Sequence, residues 1–387
     1  MRRLFLLVAA VVLVDTMFYA AITPLLPHYQ NELGLSKSDA GVLAASYAAG
    51  TLLGSIPAGW LAARAGCKNT LLLGLAALGA TSIVFGLAQN VLLLESARFI
   101  QGVGGACSWA AGMAWLVGAS PPERRGELIG SALGAAIVGV MLGPVLGGAA
   151  TLAGPAPVFG AVSLVAAVLA AWAWTMPGVG PGLSPSLASL GRALRRRRML
   201  TGFWLFTLPA VFAGVLEVLV PLRMDALGAT GVAVGAAFLV ASAAEAVVSP
   251  WTGRISDRRG RLFPIRAGLA GATVTAIVLP WPETAVVLAA MLVLAIASLG
   301  TFWAPGMALL SDASEEAGLD QGLAFALANL AWAGGHVLGG GAGASLADAT
   351  ADAVPYALLG VACAVTLARL LAPVREQFPH GAVPRNR

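Results

Sequence analysis

Charge is what this sequence has least of. Only 11% of its 387 residues are Asp, Glu, Lys or Arg, against about 25% in an average soluble domain. So few charges cannot cover a 39.0 kDa globule in water. They can cover the two ends of a helix bundle whose sides face lipid. Histidine and cysteine are scarce too, at three each. His28, His336 and His380 form no HExxH pattern, and Cys67, Cys107 and Cys363 lie far apart without metal-ligand spacing. Neither a disulfide framework nor a metal site is expected, and the cysteines read as packing residues. The sequence has no GxxxxGK[ST] loop, which argues against an ATP-driven pump. No nucleophile–base pair stands out, so the chain is not expected to be an enzyme, and no cofactor is expected. The pI of about 9.6 would suit nucleic acid, but the placement of the basic residues gives them another role, and no nucleic-acid partner is expected.

What is abundant is apolar length. The chain is 58% hydrophobic with a mean hydropathy of +0.85. Apolar runs fall at about 4–26, 39–62, 69–89, 92–118, 127–150 and 157–175, then at about 201–222, 231–252, 264–281, 284–309, 322–346 and 354–372. A bilayer core of about 30 Å needs roughly 20 such residues per helix, and these runs are too long for barrel strands. The expected fold is an all-α membrane protein with twelve transmembrane helices, spans 1 to 12. The first run opens Met1-Arg2-Arg3 like a signal peptide, but no small-residue cleavage site follows and Asp15 interrupts it, so it reads as a retained span.

The basic residues are one-sided. With twelve spans, twenty of the 23 fall on one face, including Arg2, Arg3, Arg64, Lys68, Arg124, Arg125, Arg192, Arg195 to Arg198, Arg254, Arg258, Arg259, Arg261, Arg266, Arg369, Arg375, Arg385 and Arg387. Lys37 and Arg223 fall on the other face and Arg98 lies inside span 4. This bias places both termini in the cytoplasm of a multi-pass protein of the inner membrane. The expected organisation is an N-terminal six-helix bundle (1–176), a Pro/Gly-rich cytoplasmic linker (177–200), a C-terminal six-helix bundle (201–373) and a cytoplasmic tail (374–387). The Arg195–Arg198 run reads as an anchor on anionic lipid. The halves repeat: Gly59-Trp60-Leu61-Ala62-Ala63-Arg64-Ala65-Gly66 aligns with Gly253-Arg254-Ile255-Ser256-Asp257-Arg258-Arg259-Gly260 at an offset of 194, which also pairs Pro27 with Pro221 and Gly34 with Gly228. Many transporters build two half-bundles around a central site from such repeats.

Gly253, Asp257, Arg258, Gly260 and Arg261 resemble the loop signature of the major facilitator superfamily between spans 8 and 9. The loop between spans 2 and 3 keeps Gly59, Arg64, Gly66 and Lys68 but has Ala63 where the signature has Asp. A carboxylate there can cap a neighbouring helix and pair with basic residues, so the N-terminal latch is expected to be the weaker. The acidic cluster Asp312, Glu315, Glu316 and Asp320 between spans 10 and 11 could compensate by pairing with Arg64 or Lys68, or be a solvated loop. In span 5, Gly130, Gly139, Gly143, Pro144, Gly147 and Gly148 match the antiporter motif of drug and metabolite exporters within the superfamily. Glycines four apart make a flat face for close helix contact, and Pro144 permits a bend. Span 11 has Val337 and Leu338 in place of the GP pair.

Arg98-Phe99-Ile100-Gln101-Gly102 resembles the superfamily's third signature, whose Arg faces the central cavity; the alternative is an Arg98 that snorkels to the outer end. Asp15 with Tyr19, Pro24 and Pro27 resembles span 1 of the twelve-span drug:proton antiporters. A carboxylate at this depth can carry a proton or meet a cationic substrate. Asp15, Arg98 and Glu217 are the candidates for proton coupling, with Arg98 expected to tune Asp15. Tyr19, Gln101, Glu245 and the one-face set Asn329, Trp332 and His336 are candidates for the substrate cavity; helix packing would explain the last three equally well. Trp109, Trp115, Phe302 and Trp303 line a cavity or face lipid. The resemblance implies the major facilitator fold and a secondary active transporter, a proton-coupled exporter of small amphipathic molecules acting as a monomer, with a small-molecule substrate, protons and membrane lipids as its partners. Uptake of a nutrient and a non-transporting scaffold or receptor remain the alternatives.

Overall fold

The computed structural model describes residues 2–121, 125–178, 191, 196–316 and 321–372. Among them every regular element is helical. Span 1 is the helix Arg2–Ala20, a 3-10 turn Thr23–Leu25 and the helix Leu26–Leu33. Spans 2 to 6 are Lys37–Ala65, Cys67–Leu87, Val91–Gly118, Arg125–Ala153 and Pro155–Thr175. Spans 7 to 10 are Arg197–Ala226, Gly231–Arg259, Leu262–Val278 and Ala285–Glu316. Span 11 is Gln321–His336, a π-helical segment Val337–Gly343 and Ala344–Ala349, and span 12 is Ala353–Leu371. Nine of these stretches are long and apolar enough to cross a membrane among the described residues. The other three have local reasons. Span 4 carries Glu95, Arg98 and Gln101, span 9 has only 17 residues, and the π segment divides span 11.

Local chemistry sets the ends. Ser36 and Asp39 form a capping box at the start of span 2, Asn90 caps span 4 by accepting from Leu93 N at 2.9 Å, and Thr230 caps span 8 by accepting from Ala233 N at 3.3 Å. These side chains satisfy amides that a helix start leaves without partners. The repeat is visible in the backbone. Gly34 and Gly228 both take positive φ (66° and 83°), as do Gly66 and Gly260 (86° and 89°), a region that L side chains avoid.

Within the N-terminal half, span 4 packs on spans 2 and 3, span 1 on span 5, and span 3 on span 6. In the C-terminal half, span 10 packs on spans 7, 8 and 9, span 7 on span 11, and span 9 on span 12. The halves meet along spans 5 and 8 and along spans 2 and 11, which are equivalent positions of the repeat. Phe18, Phe85 and Phe159 make an edge-on cluster at the centre of the first half, with centroids 4.9–5.9 Å apart.

The structure corrects several boundaries. Gly59–Arg64 and Gly253–Arg259 are not loops: they form the last turns of spans 2 and 8, whose backbone bonds continue until Gly66 and Gly260 turn the chain. Asp312, Glu315 and Glu316 likewise lie in the final turns of span 10. Span 7 starts at Arg197, so the end of the expected 177–200 linker is helical. Most of that linker (179–190 and 192–195), Arg124, Asp320 and the tail with Arg375, His380, Arg385 and Arg387 lie outside the described residues.

Candidate functional site

The break in span 1 follows from its prolines. Pro24 and Pro27 lack amide hydrogens, so the α-helix cannot run unbroken through Ala20 to Leu26. Helix Arg2–Ala20 therefore ends inside the protein, with carbonyls to satisfy. Arg98 supplies the donors. Its Nη1 donates to Phe18 O at 3.2 Å and its Nη2 to Tyr19 O at 2.9 Å. Nη1 also donates to Gln101 Oε1 at 3.1 Å. Arg98 is 1% exposed and does not snorkel. It makes no ion pair with Asp15 and acts on it only through space. Its guanidinium is spent on the end of the span 1 helix, where a cation also suits the helix dipole.

Asp15 is 1% exposed. Its Oδ2 accepts from Tyr47 Oη at 2.8 Å and from Trp109 Nε1 at 3.1 Å. The Tyr47 ring lies 5.0 Å from the Tyr19 ring, and Arg98 sits 5.1 Å above the Tyr47 centroid. Tyr19 Oη in turn donates to Glu217 of span 7, at 2.8 Å to Oε2 and 3.0 Å to Oε1. Glu217 is thus not a free interfacial side chain, although 25% of it is exposed. His336 of span 11 stands 3.6 Å from Glu217 Oε1 through Nε2, while its Nδ1 lies 2.9 Å from Trp332 O. A carbonyl can only accept, so Nδ1 carries a hydrogen, and Nε2 and Oε1 are complementary when a proton sits between them. Trp332 and His336 also close on the Tyr19 ring, at 5.0 and 6.0 Å.

Two hydrogen-bonded groups therefore adjoin where the Tyr47 and Tyr19 rings pack: Asp15 with Tyr47 and Trp109, and Tyr19 with Glu217 beside His336, the second crossing from one half to the other. Sequence spacing pointed to Tyr19, Trp332 and His336. It missed Tyr47, one of only four tyrosines, a phenol inside an Ala/Gly-rich span, and left Trp109 undecided between cavity and lipid. Gln101 joins through Arg98. Glu245 lies apart from these groups and accepts from Trp303 Nε1. Asn329 is half-buried one turn before Trp332.

The motif residues divide. A Cβ on Gly139 would strike Thr16 Oγ1 and Leu13 O, one on Gly143 would strike Ala20 Cβ, and one on Gly147 would strike Ala21 O. This face is the seam between spans 5 and 1. Gly130 has open space around it, and Gly148 has only Val232 Cα at 3.8 Å, so these two do not belong to the seam. Pro144 faces span 8 instead, its carbonyl oxygen 2.7 Å from where a Gly235 Cβ would stand.

At the end rich in basic residues, the ion pairs among the described residues stay within one half. Arg261 joins Asp257 at 2.8 Å and Asp312 at 3.5 Å, and Arg198 pairs with Glu316; Arg258 and Gly253 lie on the same helix as Asp257. Lys68 donates to Trp174 O and Met176 O at 2.6 and 2.9 Å, and Arg64 lies 3.8 Å over the Trp60 ring. Among the described residues, Asp312 and Glu316 thus do not serve Arg64 or Lys68; span 10 brings them to Arg261 and Arg198, in their own half. Among the described residues, the bonds between halves other than Tyr19–Glu217 lie at the opposite end: Lys37 with Asp352 at 2.5 Å, Ser38 with Ser345 at 2.8 Å, and Asn31 donating to Asp225 at 3.3 Å.

A family model described as Major Facilitator Superfamily matches residues 8–323 and 218–387. The chain is 28% identical over 139 residues to the MFS-type transporter ppzB of Metarhizium rileyi, covering 35% of this chain and 29% of that protein. It is 34% identical over 157 residues to the probable vesicular acetylcholine transporter-B of Danio rerio (38% and 32% covered). It is 26% identical over 147 residues to multidrug resistance protein 2 of Bacillus subtilis (38% and 37% covered). The matches span about a third of the length of these curated relatives. Among solved structures, a bacterial homolog of the human lysosomal transporter Spinster in an inward-facing and occupied conformation superposes with a TM-score of 0.77 at 16% identity, covering 94% of each chain. A D-xylose-proton symporter superposes with a TM-score of 0.73 at 17% identity, covering 94% of this chain and 96% of its own. At such identities the likeness is one of fold.

Proposed function

The chain belongs to the major facilitator superfamily, and from that premise we propose that it is a secondary active transporter, a proton-coupled exporter of small amphipathic molecules. The observation that carries this reading is the pair of adjoining ionisable groups, Asp15 with Tyr47 and Glu217 with Tyr19 and His336. It crosses the plane where the two halves must move relative to each other, so a proton on one side changes contacts on the other. Intramembrane ionisable groups are costly and mark transport pathways. In this reading Asp15, Glu217 and His336 take protons, Arg98 holds the span 1 break, and the substrate meets Tyr19, Trp332 and Glu245 between the halves. The span 5 glycine pattern and the relatives named for drug resistance and acetylcholine support an exporter in the drug:proton antiporter branch, with cationic molecules among its substrates.

The protein works as a monomer in the cytoplasmic membrane, with the basic end and both termini in the cytoplasm and the 177–200 linker joining bundles 1–176 and 201–373. On this orientation the conformer is closed toward the outside by Lys37–Asp352 and Ser38–Ser345. The test uses proteoliposomes and ethidium, a fluorescent amphipathic cation. The native protein accumulates the dye when a pH gradient is imposed. Asp15→Asn, which cannot release a proton, exchanges dye but does not accumulate it. Dye movement no faster than in protein-free liposomes, or accumulation that survives Asp15→Asn, rejects the assignment.

A further inference from the structure

The offset of 194 that relates the halves places Trp303 at the equivalent of Trp109. The two indoles do the same work. Trp109 Nε1 donates to Asp15, and Trp303 Nε1 donates to Glu245. Each tryptophan stands on the fourth span of its half, between the first and second spans of that half. The carboxylates, however, come from different spans. In the N-terminal half, span 1 supplies Asp15 and span 2 supplies Tyr47. In the C-terminal half, span 8, the counterpart of span 2, supplies Glu245, while span 7, the counterpart of span 1, supplies Phe206, whose ring lies 5.1 Å from that of Trp303. The repeat pairs Asp15 with Pro209 and Glu245 with Thr51. Duplication of an ancestral carboxylate therefore does not explain the match. Two unrelated acidic residues converge on the same indole position.

The packing supports a built site. Gly300, one turn before Trp303, lets Glu245 lie flat on span 10: a Cβ there would stand 3.0 Å from Glu245 Cγ. Span 5, packed against span 8, brings no ionisable side chain between 128 and 153. Span 9 brings Arg266, whose Nη2 is held on Leu370 O at 2.6 Å, and span 10 brings Asp312, paired with Arg261. The 3-10 turn Thr23–Leu25 brings none. Glu217 of span 7 and His336 of span 11 are the charged groups that act on Glu245. Arg98 has Leu292 as its counterpart, so the second half has no fixed cation at that position to hold Glu245 permanently ionised. A carboxylate with one neutral donor and no permanent counter-ion is suited to exchange a proton.

We propose that Glu245 and Trp303 form a second proton-carrying site, the counterpart in the C-terminal half of Asp15 and Trp109. The inference rests on the proton-coupled reading and adds to it a further proton, carried by Glu245 in the C-terminal half. The experiment is an infrared titration of the full-length protein in lipid, with the proton itself as the probe, following the absorption of protonated carboxyl groups. Beside the carboxyls exposed at the two ends and that of Glu217, two components are expected to titrate. Glu245→Gln abolishes one, Asp15→Asn abolishes the other, and Trp303→Phe moves the Glu245 component alone, because it keeps the carboxyl and removes the donor. If Asp15→Asn removes a component and Glu245→Gln removes none, the second site is wrong while proton coupling at Asp15 stands. If neither variant changes the band, both readings fall. Should Glu245→Gln fail to fold, Trp303→Phe decides alone: a band identical to that of the native protein overturns the proposal.

Discussion

Replacing Gly143 by alanine should loosen the seam between spans 1 and 5, while the same change at Gly148 should not. A Cβ on Gly143 would stand 2.7 Å from Met17 O and 2.9 Å from Ala20 C. These are backbone atoms, which cannot rotate away, so span 1 must shift. Overpacking of this kind costs about 1–3 kcal/mol. Alanine in a helix recovers about 0.5–1 kcal/mol over glycine. The net change at Gly143 is a loss of up to about 2.5 kcal/mol. Gly139 and Gly147 share the sign, since Leu13 O and Ala21 O crowd them in the same way. At Gly130 and Gly148 nothing opposes the helix term, and alanine is neutral or stabilising by up to about 1 kcal/mol. Five identical substitutions in one helix therefore split into two groups. The assay is thermal unfolding of the purified variants in detergent, followed by tryptophan fluorescence. Gly139→Ala, Gly143→Ala and Gly147→Ala should melt a few degrees below the parent, and Gly130→Ala and Gly148→Ala at or above it. A common shift in all five would mean that helix propensity alone is being read, and that the seam is not tight.

Two further substitutions test other contacts. Arg98→Lys keeps the charge but loses the planar fork that reaches two carbonyls; losing one charge-assisted bond costs about 1.5–3 kcal/mol, visible as a lower unfolding temperature, and native stability would show that Arg98 acts as a charge alone. Asp352→Asn removes the Lys37 ion pair, whose side chains are 35% and 27% exposed, and should shift the balance toward conformers open at that end by about twofold to fivefold, as expected for a pair worth 0.5–1 kcal/mol, with high salt doing the same to the parent. Distances between spin labels on the two halves read that shift, and a distribution unchanged by both mutation and salt refutes it.

The twelve apolar runs were legible because lipid demands roughly 20 apolar residues for each crossing. Their ends were not, because a helix can continue past that length on charged residues: Gly253–Arg259 and Asp312–Glu316 read as polar loops, yet their backbones keep the helical bonds. The π segment at Val337–Gly343 was hidden as well. Its glycines let span 11 press on span 7, with Gly339 against Val211 O, a demand set by the neighbour rather than by local sequence. In the site, single residues such as Asp15, Glu217 and His336 stood out by their cost in lipid. Their partners did not, since partnership depends on how one span is rotated against another. Arg98 shows the limit best. Its charge pointed to an influence on Asp15, but that its guanidinium binds the carbonyls at the end of helix Arg2–Ala20 could not be read from spacing.

The two halves share what sets the backbone and differ in what carries charge. Gly34 and Gly228, Gly66 and Gly260, and Trp109 and Trp303 all recur at the repeat offset, and each fixes a turn or a packing position. Contacts between spans 5 and 8 and between spans 2 and 11 explain the need: each joins equivalent surfaces of the repeat, so both halves must present matching shapes to rock against each other. Charge obeys a different rule. Asp15, Tyr47 and Arg98 lie opposite Pro209, Ala241 and Leu292, while Glu217 and Glu245 lie opposite Thr23 and Thr51. A symmetric set of charges would respond equally to either conformer and could not tell one face of the membrane from the other. With the span 1 break held by Arg98 in one half only, a rocking motion changes the surroundings of Asp15 differently from those of Glu217 and His336. On the proton-coupled reading proposed above, that difference is how protonation would bias one conformer over the other.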